Sequence, residues 1–186
     1  MKNLLSILLL VILFGSIAFS QDFGKQGVIE IGGTAGFASE TYVTDGETGD
    51  AYTIFTLQPT VGYFVIDGLE VGLNPLSFSS ENYPSWDDPI NTIGLWAFGA
   101  YHFMTMGKTY PYIQALLGYT SRSSGETYGG LAYGLAAGAK FEIAGGLLLN
   151  AGVDYRFYTY DRDDTGGRDG SNVLLIGVGL SGFLLP

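Results

Sequence analysis

The chain has no cysteine. That excludes a disulfide framework, a thiolate nucleophile, a Cys-based zinc site and the acylated cysteine of a lipoprotein. There is one histidine, His102, which excludes a metal centre built on several imidazoles. Charge is scarce. Asp, Glu, Lys and Arg make up 14 % of the chain, against about 25 % in an ordinary soluble domain. Positive charge is scarcest: 8 Lys and Arg face 18 Asp and Glu, for a formal net charge of −10. Such a chain does not hold nucleic acid, or an anionic surface, by charge alone.

Long apolar runs are also missing, with one exception at the start. Met1-Lys2-Asn3 is a short positive segment, Leu4 to Ala18 is apolar, and Ala18-Phe19-Ser20 puts small residues where a signal peptidase reads. This is the layout of a cleavable export leader over residues 1–20, with cleavage before Gln21. The run is short for a membrane-spanning helix of about 20 residues. Residues 21–186 are then one domain, and any membrane crossing within it uses strands.

What is abundant is glycine, 29 residues, and aromatics, with 13 Tyr and 12 Phe. Short turn signals sit at Ile66-Asp67-Gly68, Met106-Gly107-Lys108 and Ala144-Gly145-Gly146. Longer polar stretches centre near Asp45, Asp87, Ser124 and Gly166. The two kinds alternate with a period of roughly forty residues, which also occurs in propeller blades, but a blade needs four strands per period and there are two here. The eight segments between them are 28–39, 51–65, 69–78, 92–104, 110–120, 129–143, 147–160 and 172–184. Each is long enough to cross a bilayer as a tilted strand of about 9–11 residues.

The segments alternate with the period of two that marks a strand. One face carries Leu131, Tyr133, Leu135, Ala137, Ala139 and Phe141; the other carries Gly130, Ala132, Gly134, Ala136, Gly138 and Lys140. The segment after it repeats this, with Leu147, Leu149, Val153, Tyr155 and Phe157 against Asn150, Gly152, Asp154 and Arg156. In a soluble barrel the second face meets water and is rich in Lys, Glu, Ser and Thr. Here it is mostly Gly, Ala and Thr, which suits the inside of a narrow closed barrel whose large apolar face meets lipid. Aromatics gather toward the strand ends, as an interfacial girdle does: Tyr63, Phe64, Tyr101, Phe103 and Phe141 near the short turns, and Phe37, Phe55, Tyr119, Tyr155 and Phe157 toward the longer stretches. These features predict an all-β, eight-stranded antiparallel up-and-down transmembrane barrel with short periplasmic turns and long extracellular loops.

Particular stretches resemble one family. Gln58 to Leu73 (QPTVGYFVIDGLEVGL) is similar to the first periplasmic hairpin of the small outer-membrane β-barrel proteins, the OmpA- and OmpX-like barrels. Pro111 to Tyr119 (PYIQALLGY) resembles the fifth strand of that family, Asn150 to Phe157 (NAGVDYRF) the seventh, and Gly177 to Ser181 (GVGLS) the eighth. The resemblance implies a Gram-negative outer membrane, insertion by the barrel-assembly machinery and contact with outer-membrane lipid and lipopolysaccharide. It says little about activity, since the family holds adhesins, sealed anchors and narrow pores. Such barrels usually end in Phe, whereas this chain ends Gly182-Phe183-Leu184-Leu185-Pro186, so Phe183 or Leu184 would have to serve.

The candidate functional residues are the few charges with inward parity: Glu30, Glu70, Lys140, Glu142, Asp154 and Arg156. Asp154 and Arg156 are two apart on one face and can pair. Counting back across the Gly145 turn sets Arg156 opposite Gly134 and Lys140 opposite Asn150, with Glu142 two residues beyond Lys140. Buried charges must be paired, so these groups either plug the lumen or line an ion path. Eight-stranded barrels are usually filled by their own side chains, which favours a plug.

Catalysis is the weaker reading. A lipid hydrolase on a barrel wants Ser, His and an acid on the outer face. His102 has inward parity near a short turn, and Ser121, Ser123 and Ser124 lie far along the axis. No cofactor or metal is expected. Asp161-Arg-Asp-Asp-Thr-Gly166 approaches a calcium loop, but Thr165 and Asn172 stand where that motif needs Asp or Asn and Glu. The polar stretches hold most of the acid, including Glu40, Asp45, Glu47, Asp50, Glu81, Asp87, Asp88, Asp163 and Asp164. The expected function is that of a monomeric, non-enzymatic envelope protein acting in structure or surface binding through acidic loops, with divalent cations bridging to lipopolysaccharide. The alternatives are a narrow cation-preferring pore, a lipid-modifying enzyme and a soluble lipocalin-like binder.

Overall fold

In a computed structural model, residues 23–44, 47–82, 89–103, 107–124, 126–161 and 168–184 are described. The expected leader, the carboxylates of Asp45, Asp87, Asp88, Asp163 and Asp164, and most of the calcium-like stretch lie outside them. Eight strands form: β1 (Ile29–Thr44), β2 (Glu47–Ile66), β3 (Leu69–Asn82), β4 (Ile90–His102), β5 (Thr109–Ser124), β6 (Glu126–Ala144), β7 (Leu147–Asp161) and β8 (Arg168–Leu184). Each pairs antiparallel with the next, and β8 pairs with β1, so the sheet closes. Closure removes every sheet edge, which a β-structure in hydrocarbon requires.

The turns β2–β3 and β6–β7 are tight. Gly68 and Gly146 sit there at φ 79° and 81°, a left-handed conformation that costs glycine little. Away from the turns the strands outrun the expectation. β1 reaches Thr44, β2 begins at Glu47, β5 reaches Ser124 and β6 begins at Glu126, where the sequence suggested loops. Ladder pairing satisfies the backbone whatever the side chains are, so polar stretches continue as strand.

The wall has two faces. Outward residues are Leu57, Leu73, Leu95, Leu117, Leu135, Ile176 and Val178, all exposed, with Leu135 at 66 %. This aliphatic band is flanked by Tyr63, Tyr101, Phe103 and Phe141 on the short-turn side and by Phe37, Phe55, Tyr119 and Tyr155 on the other. Phe157 stacks on Tyr133 at 5.0 Å. A continuous apolar surface of this kind is stable only against lipid. Phe64 is a correction: it does not belong to the girdle but points inward and is fully buried.

One irregularity redirects a strand. Pro75 has no N–H to give the ladder, and the β3–β4 register shifts between Asn74 and Ser77. That bulge exchanges the faces. Glu70 and Asn74 point inward before it, Ser77 and Glu81 after it.

Candidate functional site

The lumen is filled in three layers. At the short-turn end lies an aromatic plug of Phe23, Val28, Phe64, Tyr110, Leu148 and Phe183. Its centre is Phe23, which precedes β1 and is 1 % exposed. Residues 23–28 form a strap across the mouth. Gly68 N–H donates to Gly24 O (2.8 Å) and Gly27 N–H to Phe64 O (2.9 Å). Asp67 accepts from Gln26 N–H (2.9 Å) and from Lys25 Nζ (3.0 Å). Those two partners, Gln26 N–H first, hold the Asp67 carboxyl below its ordinary 3.8.

Above the plug sits an ionic cluster. Lys140 Nζ donates to both oxygens of Glu30, at 2.7 and 2.6 Å, from the other side of the lumen. It lies 3.6 Å from Glu70 Oε2. His102 Nε2 is 2.8 Å from the same Glu70 oxygen. Glu30, Glu70 and His102 are buried, and their ligand-type atoms lie within 4.8 Å of one another. Phe23 meets His102 edge-on at 5.3 Å, and the Lys140 ammonium lies 5.3 Å from the Phe23 ring centre. The hydrophobic plug therefore caps the charges directly and keeps water from that side.

The far layer is built around Arg156. Its guanidinium pairs with Asp154, donates to Gln58 Oε1 at 2.8 Å and lies 5.1 Å from the Trp96 ring centre. Trp96 is fully buried, and its Nε1–H donates to Ser77 Oγ at 2.8 Å. Tyr158 meets it edge-on at 5.9 Å. Arg156 passes over Gly134, its register partner, whose Cβ would stand 3.2 Å from Arg156 Cγ. Nearer the rim, Arg122 pairs with Glu81 at 2.8 Å. Between the ionic cluster and Arg156 lies a chamber of about 70 Å³, walled by Thr34, Thr56, Thr60, Glu70, Asn74 and Asn150, among others.

The six candidates thus fall in three places. Glu30, Glu70 and Lys140 meet in the lower cluster, and Asp154 with Arg156 in the upper one. Glu142 stands apart at the rim, 3.5 Å from Lys108 rather than paired with Lys140. Lys140 does lie opposite Asn150, but Asn150 donates to Ser181 Oγ at 3.0 Å. Sequence reasoning missed Phe23, Trp96, Glu81 and Tyr112, whose ring centre lies 5.7 Å from that of His102 and 5.7 Å from Lys140 Nζ. Inward parity signalled Trp96 and Tyr112. Nothing periodic marks Phe23, and only Pro75 warned that Glu81 turns inward.

Solved structures share this geometry. The crystal structure of Neisserial surface protein A (NspA) matches with a TM-score of 0.62 at 16 % identity, over 84 % of this chain and 97 % of that one. The fold is that of the small outer-membrane barrels. The solid-state NMR structure of outer membrane protein AlkL in DMPC bilayers matches with a TM-score of 0.50 at 11 % identity, over 91 % of this chain and 95 % of that one. No protein-family model and no curated protein matches the sequence.

Proposed function

We propose that this protein is a sealed, non-enzymatic barrel of the bacterial outer membrane that holds acidic loops at the cell surface. The observation that carries the reading is the filled lumen. Phe23 and its aromatic neighbours occupy one end, Trp96 and Arg156 the other. A conducting path would have to pass Lys140 and Arg156, and both are buried in ion pairs. Separating them in a low-dielectric interior is expensive, so such a path does not open by thermal fluctuation of one side chain. A lipid-modifying role finds no support in His102, which faces Glu70 inside the barrel and not the lipid.

The partner at the surface is proposed to be lipopolysaccharide, bridged by divalent cations to the acidic segments, with insertion by the barrel-assembly machinery and a monomeric state. Conductance tests the sealed reading. Folded protein, identified by its unboiled gel mobility, should be silent in a planar bilayer. Discrete cation-preferring steps would replace this reading with the pore. Calcium-dependent cosedimentation with lipopolysaccharide, lost on chelation, tests the surface reading.

A further inference from the structure

We infer that the lumen chamber binds one small monovalent cation, Na⁺ or K⁺, against the carboxylate of Glu70. Charge balance starts the argument. Among the described lumen residues, Glu30 pairs with Lys140, Asp154 with Arg156 and Glu81 with Arg122. Glu70 has no cation of its own. Lys140 is 3.6 Å from it but 2.6 and 2.7 Å from the two Glu30 oxygens. Two converging carboxylates therefore share one ammonium, and an unbalanced charge inside a membrane barrel is unfavourable. One further positive charge makes the cluster neutral; a divalent ion overshoots.

Hydrogen-bond accounting weighs against a proton on the His102 side of Glu70. Glu70 Oε2 takes the contact with His102 Nε2, while Glu70 Oε1 and His102 Nδ1 are both buried without a partner. A proton added to His102, or placed between Nε2 and Oε2, leaves an N–H at Nδ1 with no acceptor. Stranded donors of this kind are disfavoured. A cation beside the Glu70 carboxylate balances the charge without adding a donor. Space is the third observation. Glu70 lines the chamber of about 70 Å³, together with the oxygens of Thr34, Thr56, Thr60 and Asn74, and Thr56 Oγ1 is itself buried and unpartnered. That volume takes a bare ion with a few waters and excludes an organic cation.

The test is refolding of the full chain from urea into detergent micelles in NaCl, KCl or choline chloride at equal ionic strength. A site that exists only in the folded barrel raises the folding constant with ion concentration, about a hundredfold when the ion is at a hundred times its Kd. The urea midpoint of the wild type should be higher in Na⁺ or K⁺ than in choline. Glu70→Gln removes the unbalanced charge and should fold with the same midpoint in all three salts. Glu30→Gln frees Lys140 for Glu70 and should abolish the dependence as well, which guards against a variant that misfolds. Equal midpoints for the wild type in all three salts overturn the inference; a midpoint that instead rises on acidification assigns the charge to a proton. Salt dependence that persists in both variants also overturns it and places the ion elsewhere. Conductance is not read here, so a failure of this site leaves the sealed reading standing.

Discussion

Replacing Gly138 by Ala puts a methyl group on the lumen face of β6. The site is a crowded row: Gly138 pairs with Tyr112 on β5 and Gly152 on β7, and the Tyr112 hydroxyl lies over both glycines. The new Cβ would stand 2.8 Å from Gly152 Cα and 2.8 Å from Tyr112 Oη, and closer still to the Ala151 carbonyl oxygen. Carbon atoms in contact prefer about 3.5–4.0 Å, so the overlap is close to an ångström. Two of the three obstacles are backbone and cannot rotate away. Overpacking of this kind costs about 1–3 kcal/mol. Gly99 on β4 is the matched control. It faces outward, and nothing lies within 4 Å of where its Cβ would be. Gly99→Ala narrows the unfolded ensemble without a clash and should stabilise by about 0.4–1 kcal/mol. The two variants should therefore move in opposite directions and differ by about 1.5–4 kcal/mol. Urea unfolding of the refolded barrel in lipid vesicles, read by the fraction keeping folded gel mobility, gives both midpoints. Equal shifts, or a stabilising Gly138→Ala, would refute the assignment of lumen and lipid faces.

Three further outcomes follow from named contacts. Lys140→Met leaves Glu30 buried without its cation and should cost about 3–5 kcal/mol in the same unfolding assay, with much of the loss recovered when Glu30→Gln is added. Trp96→Ala removes the largest fully buried side chain among the described residues, the Ser77 hydrogen bond and the seat of the Arg156 guanidinium, and should cost about 3–5 kcal/mol. Asp67 has its pKa depressed in the fold by Gln26 N–H and Lys25, so its contribution is present above the ordinary 3.8 and is lost as pH falls through the lowered folded value. Limited proteolysis of the strap should therefore quicken on acidification below pH 3.8, and Asp67→Asn should remove that acid dependence.

The barrel and its inside-out orientation were legible because period two and residue size act locally. Lys140 and Arg156 carry their inward parity wherever the strands end up. Their partners were not legible in the same way. Asp154 is two residues from Arg156 and could be read directly, but Glu30 is 110 positions from Lys140 and meets it only after β8 closes on β1. Glu81 was placed in a polar stretch because the expected strand stopped at residue 78, whereas β3 runs to Asn82 and the register shift beside Pro75 turns Glu81 inward. Phe64 has the aromatic character of a girdle residue, and its even position was the better guide. Phe23 lies outside every strand, so its role depends on the Gly24 and Gly27 backbone contacts that bend the strap into the mouth.

The pair of Glu30 and Lys140 has a consequence for assembly. Glu30 stands on the strand that makes the closing seam, where it is paired in register with Phe183 of β8, while its ammonium partner rides on β6. A sheet that has curled but not joined leaves a carboxylate on an open edge and an ammonium on the inner wall, each without the other. Neither charge is tolerable there alone, and each is satisfied only by the completed circle. The ion pair thus favours the closed circle over a nearly closed one.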